Sequence, residues 1–288
     1  MAVIDGGPWR KSLRRRDISS KNTTIPDLQS NSMSDPVSPH LGKAVILAEF
    51  FSAQCSCNST DESLGAPYPL PQQHPIFDFL PLRKCDVLRQ LRKLPSCKST
   101  SDYLISNRTL KECAHQICPS LTYLFNTSLS TNTFPDEWKE ATICPIYKNR
   151  GNAGDPSNYR PVSLLNAVGK VLDALVCQSL LKYLLQYSLI SCHQFGFLPH
   201  RSTVFQLLFV FDKWLKALDK NQESVAVFMD FNKAFDKVWH KGLLHKLLGN
   251  GLSSDAVAWF QSYLSSRLLN VRVGEAVSAP LKIAAGVP

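Results

Sequence analysis

Asp230 is the residue of this sequence that is best placed for chemistry. It closes a short apolar run at 225–230, and the residues after it have the spacing of a helix that follows directly. An apolar β-type run that ends in a carboxylate suits a divalent metal site, because magnesium takes oxygen ligands and is held by one or two carboxylates together with substrate phosphates. Two such ions can clamp the attacking and leaving oxygens of a nucleotidyl transfer.

Two aromatic residues after Asp230 extend this interpretation. The backbone carbonyl of Phe231 could face the same ion, and Phe235, one helical turn further on, could lie beneath an incoming sugar. A ring in that position would sense the 2′-hydroxyl, the group that distinguishes RNA from DNA building blocks. In a structural interpretation, Asp230 or Asn232 caps the helix and Phe235 is a core residue. The local sequence leaves both interpretations open.

Two cations flank a glycine-containing turn earlier in the chain. Lys148 ends a β-type run and Arg160 begins the next one, with two glycines and a proline between 149 and 156. On paired strands these side chains could fold over a nucleoside triphosphate and neutralise its developing charge. Solvated loop charges are the structural alternative, since Lys and Arg are mostly exposed residues. Lys148 and Arg160 are therefore candidate nucleotide-binding residues.

Hydrophobic periodicity predicts the elements that must position these residues. The predicted strands lie at 141–147, 160–163, 225–230, 269–273 and 281–283, and the predicted helices lie at 168–187, 203–220, 235–248 and 255–265. Earlier helical spacing is found at 87–94 and 121–129. Because strands and helices interleave, we predict an α/β (α+β) fold in which the last two strands form a closing hairpin.

Length and composition indicate the class of protein. The 288 residues are 44% hydrophobic, which is enough to bury a core. The net charge of +9 favours polyanionic partners, with nucleic acid as the leading candidate. The nine cysteines show no repeated paired spacing, so we assign no zinc module and expect a reduced intracellular compartment.

The first 82 residues differ in character from the rest. They mix Ser, Pro, Asn and Gln, and a proline-rich run at 66–71 cannot propagate a helix or a strand. One apolar helical patch, at 43–51, predicts a docking helix within a linker. No apolar segment has the length of a membrane span or the pattern of a secretion signal. We therefore expect an intracellular protein, in the nucleus or the cytoplasm, that is neither secreted nor membrane-spanning.

These separate patterns occur together in one known family. The stretches that match it are Phe-Pro-Asp-Glu-Trp-Lys at 134–139, Pro-Ile-Tyr-Lys at 145–148, Asn-Tyr-Arg-Pro-Val-Ser-Leu-Leu at 158–165, Gln-Phe-Gly-Phe at 194–197, Arg-Ser-Thr at 201–203 and the run from 230 to 240. Trp259, Tyr263, Arg267 and Gly-Val-Pro at 286–288 follow in order. With this order and spacing, the sequence resembles the reverse transcriptases of non-LTR, LINE-type retrotransposons. Group II intron maturases are a more distant resemblance.

The resemblance implies a right-hand polymerase fold and the activity of an RNA-directed DNA polymerase. It implies an RNA template, a DNA primer, deoxynucleoside triphosphates and Mg²⁺ or Mn²⁺, with no membrane and with protein partners unspecified. Residues 1–82 are similar to the connection between endonuclease and polymerase in that family. Residues 83–224 resemble the fingers, and residues 225–288 resemble part of the palm.

The resemblance also implies roles for individual residues. Asp230 matches the first metal-binding aspartate, and Phe231 matches the residue whose carbonyl joins it at the metal. Phe235 matches the aromatic sugar gate. Lys148 and Arg160 match residues of the fingers near the triphosphate. Three further residues fall within the matching motifs and are secondary site residues: Asp236, Arg201 and Gln194.

One departure from the family bears on activity. In the family, the second group of metal carboxylates lies in an x-x-Asp-Asp turn after the motif that begins at 286–288, and the sequence ends there. We therefore expect this chain alone to be inactive as a polymerase and, with an unpaired apolar strand edge, poorly soluble. The alternatives are a non-catalytic remnant that binds RNA or DNA through phosphate contacts and a fragment derived from a pseudogene.

Overall fold

The computed structural model describes residues 25–28, 39–56, 74–96 and 105–287. Within these ranges the helices are α1 (His40–Gln54), α2 (Lys84–Lys93), α3 (Asn107–Glu112), α4 (Ala114–Ser130), α5 (Ala167–Gln186), α6 (Thr203–Leu218), α7 (His240–Gly249) and α8 (Ser254–Leu264). The strands are β1 (Glu140–Tyr147), β2 (Tyr159–Leu165), β3 (Leu268–Val273), β4 (Ala276–Val277) and β5 (Leu281–Lys282). The predicted α/β class is confirmed. The proline-rich run at 66–71 lies outside the described residues.

The strands form one mixed sheet in the order β2-β1-β3-β4, with β5 also paired to β3. β1 and β2 are antiparallel, with Ile143 opposite Ser163, whereas β1 and β3 are parallel, with Ile143 beside Val271. A parallel pair needs a crossover connection, and here that connection includes α5 to α8. β4 and β5 return antiparallel to β3, as predicted for the closing hairpin. The sheet therefore joins the predicted fingers and palm ranges, and the boundary between them stays a prediction.

α1 lies against the sheet and confirms the helix predicted at 43–51. Its buried residues Leu47 and Phe51 pack with β3 in one apolar cluster. Lys43 is also buried, and its ammonium lies 3.1 Å from a carboxylate oxygen of Asp27. A buried ammonium needs such a partner, because the charge would otherwise lose its hydration without compensation. α1 is therefore a layer of the folded structure that covers the sheet.

A larger apolar core lies between the helices. Trp259 of α8 is fully buried, and its ring lies 5.7 Å from that of Phe134 at an angle of 88°. The indole N–H donates to the hydroxyl of Ser128 at 3.1 Å, so the polar atom of the ring has a partner. The core residues from α2, α4 and α5 are Val87, Leu91, Phe125, Leu129, Val171 and Leu172. This core holds α5 and α8, and the loop at 194–201 and the turn at 232–237 lie between these two helices in the chain.

Side-chain caps define several helix starts. Asn166 accepts hydrogen bonds from two backbone N–H groups in the first turn of α5, at 2.8 and 3.2 Å. Ser202 and Ser253 accept in the same way at the starts of α6 and α8. Short polar side chains suit these positions because the first N–H groups of a helix have no partner within it. The three helices predicted for these parts of the chain are confirmed.

The strand predicted at 225–230 is wrong. These residues have irregular backbone and are exposed, and Phe228 is 88% exposed. An apolar run becomes a strand only when a neighbouring strand pairs with its backbone and other side chains cover one of its faces. In the sheet that the structure describes, no strand lies beside 225–230. Asp230 is therefore not held at the end of a buried strand.

The helix predicted from 235 begins later, at His240, and residues 232–237 form a turn instead. α6 is present as predicted, but none of its residues is buried. The large apolar side chains that α6 exposes are Val204, Phe205, Leu207, Leu208, Phe211, Leu215 and Leu218. Periodicity predicts a helix, whereas burial also requires a partner surface. In the part of the chain that the structure describes, no helix is long and apolar enough to span a membrane.

Candidate active site

The β1–β2 hairpin places the two predicted nucleotide-binding cations on one face. Arg160 of β2 is opposite Ile146, and the N–H of Lys148, just after β1, donates to the carbonyl of Asn158 at 2.8 Å. Alternate residues of a strand project to the same side, so Lys148 and Arg160 are diagonal neighbours. Arg160 is exposed and Lys148 is half-buried. The predicted hairpin is confirmed, and the role of these cations toward a triphosphate stays a prediction.

Local hydrogen bonds hold the loop between β1 and β2. The ammonium of Lys148 donates to the carbonyl of Ser157 at 2.6 Å, and the hydroxyl of Tyr147 donates to the carbonyl of Gly151 at 2.6 Å. Gly151 has a φ of 77°, and a Cβ there would lie 2.7 Å from the side chain of Asn158. Only glycine fits a positive φ with so little space. The ammonium of Lys148 is therefore anchored beside the loop backbone.

The turn at 232–237 follows Asp230 and lies near this hairpin. The N–H of Lys237 donates to the carbonyl of Lys233 at 3.1 Å, which closes the turn. Burial lowers the pKa of the Lys233 ammonium, and the positive charges of Lys237 and Lys148 lower it further, while Asp236 opposes the shift. The hairpin and the turn are neighbours, since Pro161 and Ser163 of β2 line the same cavity as Asp236. Together they concentrate positive charge in one region.

The end of α1 contacts the same turn. The ammonium of Lys233 lies over the Phe50 ring, 5.5 Å from its centre, in a cation–π contact. Burial, followed by the negative charge of Asp236, raises the pKa of the Cys55 thiol to about 11. Burial also raises the pKa of Asp236, and the positive charge of Lys233 opposes that shift. Cys55 is thus a neutral thiol at neutral pH, packed beside a partly desolvated carboxylate.

The last described segment joins α1 to the turn. The N–H of Ala285 donates to the carbonyl of Cys55 at 2.9 Å, and the N–H of Gly286 donates to the carbonyl of Val238 at 2.9 Å. Gly286 has a φ of 90°, and a Cβ there would lie 2.8 Å from the carbonyl oxygen of Asp236. Three segments that are distant in sequence are therefore linked through their backbones.

Phe235, the predicted sugar gate, contacts a second aromatic residue. It is 58% exposed, and its ring lies 5.9 Å from that of Phe197 at an angle of 82°. The loop that carries Phe197 also holds two of the secondary site residues. The guanidinium of Arg201 lies 5.3 Å from the centre of the Phe195 ring, and the amide of Gln194 donates to a carbonyl within the loop at 3.4 Å. The alternative in which Phe235 is a core residue is wrong.

Asp230 and Phe231 lie on exposed, irregular backbone just before the turn, and Phe231 is 80% exposed. Among the residues described, no three His, Cys, Asp or Glu side chains lie close enough together to hold a metal ion. The described residues therefore do not form a site that could hold a divalent metal ion with protein ligands alone. Asp230 is a single exposed carboxylate, whereas Asp236 is half-buried beside Cys55.

A small cavity lies beside Asp236, between α1, the sheet and the last described residues. Its volume is about 70 Å³, and its wall includes Phe51, Cys55, Asp236 and Arg267. Pockets for small-molecule ligands have volumes of roughly 300–1,000 Å³, so this cavity is too small for a nucleotide. A nucleotide bound near the turn would have to lie on the open side, where the hairpin cations and Phe235 are accessible.

The sequence alone assigns no role to Phe50, Cys55 or Lys233. Phe50 and Cys55 lie in the predicted linker, where no motif marks them. Lys233 lies between Asp230 and Asp236, and a cation so close to two carboxylates is the signal that could have identified it. Contacts between distant segments leave no local pattern, and for that reason the docking helix was predicted at 43–51 but its contact with the turn was not.

Residues 146–288 match the reverse transcriptase (RNA-dependent DNA polymerase) family. The chain therefore carries a reverse transcriptase domain, and its mixed sheet and surrounding helices are consistent with that class. Members of this family use divalent metal ions, a nucleic-acid template and nucleotide substrates.

Three of the individual relatives come from mobile elements of Drosophila melanogaster. The chain is 32% identical over 241 residues to the RNA-directed DNA polymerase from mobile element jockey, in an alignment that covers 83% of this chain and 25% of the relative. The chain is 33% identical over 220 residues to the probable RNA-directed DNA polymerase from transposon BS, in an alignment that covers 76% of this chain and 24% of the relative. It is 33% identical over 208 residues to the probable RNA-directed DNA polymerase from transposon X-element, and that alignment covers 72% of this chain and 23% of the relative. The chain spans about a quarter of the length of these relatives. The LINE-type family predicted from the motifs is confirmed.

Proposed function

We propose that this chain provides the nucleotide-facing part of an RNA-directed DNA polymerase. Deoxynucleoside triphosphates are the substrates, and an RNA template pairs with a DNA primer. The observation that carries the proposal is the closeness of three segments: the β1–β2 hairpin and the 232–237 turn line the same small cavity, and Phe197 of the 194–201 loop contacts Phe235 of the turn. These segments lie within a reverse transcriptase domain, and each supplies a charged or aromatic side chain.

In this proposal Lys148 and Arg160 neutralise the triphosphate. They lie diagonally on one face of the hairpin, and Lys233 adds a positive charge from the turn. Hydrogen bonds from cations to phosphate are among the stronger ones, and a guanidinium can bind two phosphate oxygens at once. Cations that are already in place stabilise the charge that develops during nucleotidyl transfer without further reorganisation.

Phe235 contacts the sugar of the incoming nucleotide. Its ring is exposed at the turn, and its contact with Phe197 limits where the ring can move. A ring packed against the sugar leaves little space at the 2′ position, where the ribose of a ribonucleotide carries a hydroxyl. Phe235 would thereby favour deoxynucleotides over ribonucleotides.

Asp230 and the carbonyl of Phe231 contribute to binding Mg²⁺ or Mn²⁺. Magnesium commonly keeps several waters and is held by one or two carboxylates together with substrate phosphates. The exposed position of Asp230 allows it to meet an ion that arrives with the triphosphate. When bound, the ion supplies positive charge to the phosphates, and the described residues supply only part of its coordination.

Nucleotide binding tests the proposal most directly. With a fluorescent deoxynucleoside triphosphate and Mg²⁺, we expect Lys148→Ala/Arg160→Ala to weaken binding at least ~10-fold, because two charge-assisted contacts are lost. Lys182→Ala, a change at an exposed lysine of α5, should leave the affinity unchanged. Asp230→Ala should reduce the dependence of binding on Mg²⁺ and abolish any primer extension that the wild-type chain shows. Equal affinities of the wild type and the double variant would contradict the proposal.

A second candidate function is nucleic-acid binding without catalysis. It is favoured by the net charge of +9 together with the exposed cations of the folded chain. RNA binding should then weaken steeply with added salt and should be unchanged in Asp230→Ala. Strong RNA binding without any triphosphate binding would favour this candidate over the polymerase.

An intracellular location, in the nucleus or the cytoplasm, is part of both proposals.

A further inference from the structure

We propose that a basic surface on α2 and α3 binds the phosphate backbone of a nucleic acid, away from the candidate active site. The α2–α3 basic surface consists of five exposed cations: Lys84, Arg92, Lys93, Arg108 and Lys111. This surface would bind the template or primer of the proposed function, and the inference rests on the proposed function in that respect.

Packing brings the two helices together and leaves the cations in solvent. Val87 and Leu91 of α2 are buried in the core between the helices. The side-chain amide of Asn107, the first residue of α3, donates at 3.3 Å to a carbonyl just after the end of α2. The guanidinium of Arg92 contacts the His115 ring at the start of α4. The cations of α2 and α3 therefore lie on two helices that are held side by side.

Acidic residues do not neutralise this surface. Residues 83–96 and 105–115 contain seven Lys and Arg and two Asp and Glu, a net charge of +5 within the +9 of the whole chain. Asp86 is already shared by Arg83 and Arg89, at 2.9 and 3.0 Å. Within the described ranges, none of the five cations of the surface forms an ion pair. Their charge is therefore available to an external anion.

Helix stability accounts for only part of this pattern. A positive charge is favoured near the C-terminus of a helix, which suits Arg92, Lys93 and Lys111 in their last turns. Lys84 and Arg108 lie in the first turns of α2 and α3, where the helix dipole disfavours a cation. An anion bound at the surface would offset this unfavourable placement.

A nucleic acid is the partner that fits this chemistry. Exposed Lys and Arg bind phosphates largely independently of base sequence, and the release of counterions makes such binding depend on salt. α2 belongs to the core around Trp259, whereas the β1–β2 hairpin belongs to the apolar cluster beneath α1. A strand bound at α2 and α3 would thus be held at a second place, separate from the site of nucleotidyl transfer.

Salt-dependent RNA binding tests this proposal with two matched variants. Arg108→Gln/Lys111→Gln removes two charges from the α2–α3 basic surface, and Lys182→Gln/Lys220→Gln removes two exposed charges elsewhere. For a labelled single-stranded RNA, we expect the first variant to reduce the slope of log K against log salt by about 1.4, at roughly 0.7 per lost phosphate contact. The second variant should keep the wild-type slope. Fluorescence anisotropy at several salt concentrations measures both, and thermal unfolding confirms that both variants are folded.

The possible outcomes separate this proposal from the proposed function. Equal slopes for the two variants would overturn the proposal while RNA binding by the wild type still supports a nucleic-acid partner. Absence of RNA binding by the wild type would overturn both this surface and the nucleic-acid partner, and triphosphate binding at Lys148 and Arg160 is measured independently. Equally strong binding of polyglutamate would indicate an acidic protein partner and contradict the proposal.

Discussion

The carbonyl oxygen of Cys55 accepts a hydrogen bond from the N–H of Ala285 at 2.9 Å. This bond ties the end of α1 to a segment that also contacts the turn at 232–237, because the N–H of Val287 donates to the carbonyl of Phe235 at 3.0 Å. α1 lies in a region predicted to be a linker, yet two backbone hydrogen bonds, made by Ala285 and Val287, connect its end to Phe235, the predicted sugar gate. Changes in α1 or at 285–287 should therefore alter the candidate site.

Gly286→Ala should destabilise the protein by about 1–3 kcal/mol. The added Cβ would lie 2.8 Å from the carbonyl oxygen of Asp236, on backbone with a φ of 90°. Gly196→Ala is the matched control, since nothing lies within 4 Å of the position of its Cβ. Urea unfolding of both variants measures the difference. Equal free energies of unfolding would contradict the tight approach of Gly286 to the turn.

Phe51→Ala should lower the free energy of unfolding by about 3–5 kcal/mol, because it removes a buried ring from the cluster between α1 and the sheet. Phe228→Ala should change it little, because Phe228 is 88% exposed on the run at 225–230. Denaturant unfolding compares the two phenylalanines. A large loss for Phe228→Ala would show that the run at 225–230 is buried after all.

Cys55 should react slowly with thiol reagents. A pKa of about 11 makes its thiolate more than ~100-fold rarer at pH 8 than that of an ordinary cysteine with a pKa of about 8.5. Iodoacetamide should therefore modify the exposed Cys85 well before Cys55, and peptide mass spectrometry follows both sites in one sample. The rate at Cys55 should rise as the pH approaches 11. Modification of both residues at the same rate would be inconsistent with burial of Cys55 beside Asp236.

Asp236→Asn should stabilise the protein at neutral pH. Burial raises the pKa of Asp236 above 3.8, so the folded state holds the proton more tightly than the unfolded state does. The stability that this provides is fully present below pH 3.8 and is lost as the pH rises through the folded-state pKa. The gain from Asp236→Asn should thus be larger at pH 7 than at pH 3, as measured by chemical denaturation. Asp219→Asn, at an exposed position, is the control, and an equal gain in both variants would argue against desolvation of Asp236.

Local patterns predicted most of the helices and the hairpin. The hairpin at 141–147 and 160–163 could be predicted because β-type runs flank a loop with glycine and proline, and these residues specify a tight reversal locally. The starts of α5 and α8 follow from caps at Asn166 and Ser253, which act on N–H groups two or three residues away. Lys148 and Arg160 are neighbours for the same reason, since a hairpin fixes the register of its two strands.

The run at 225–230 could not be predicted in the same way. Its apolar, β-type residues favour a strand, but a strand exists only where another strand pairs with it, and that partner must come from elsewhere. The contacts of Phe50 and Cys55 with the turn are equally non-local. A pattern of a few residues carries no information about which distant segments will meet.

The sequence by itself determined the family, the positive charge, the locally capped helices and the β1–β2 hairpin with its two cations. These properties depend on residue types and on interactions over a few positions. Only the tertiary structure decided that 225–231 is exposed, that α1 covers the sheet, and that Cys55, Ala285 and Phe235 are joined through their neighbours. Burial and backbone pairing between distant segments depend on the whole arrangement of the chain, because each needs a partner that local sequence does not specify.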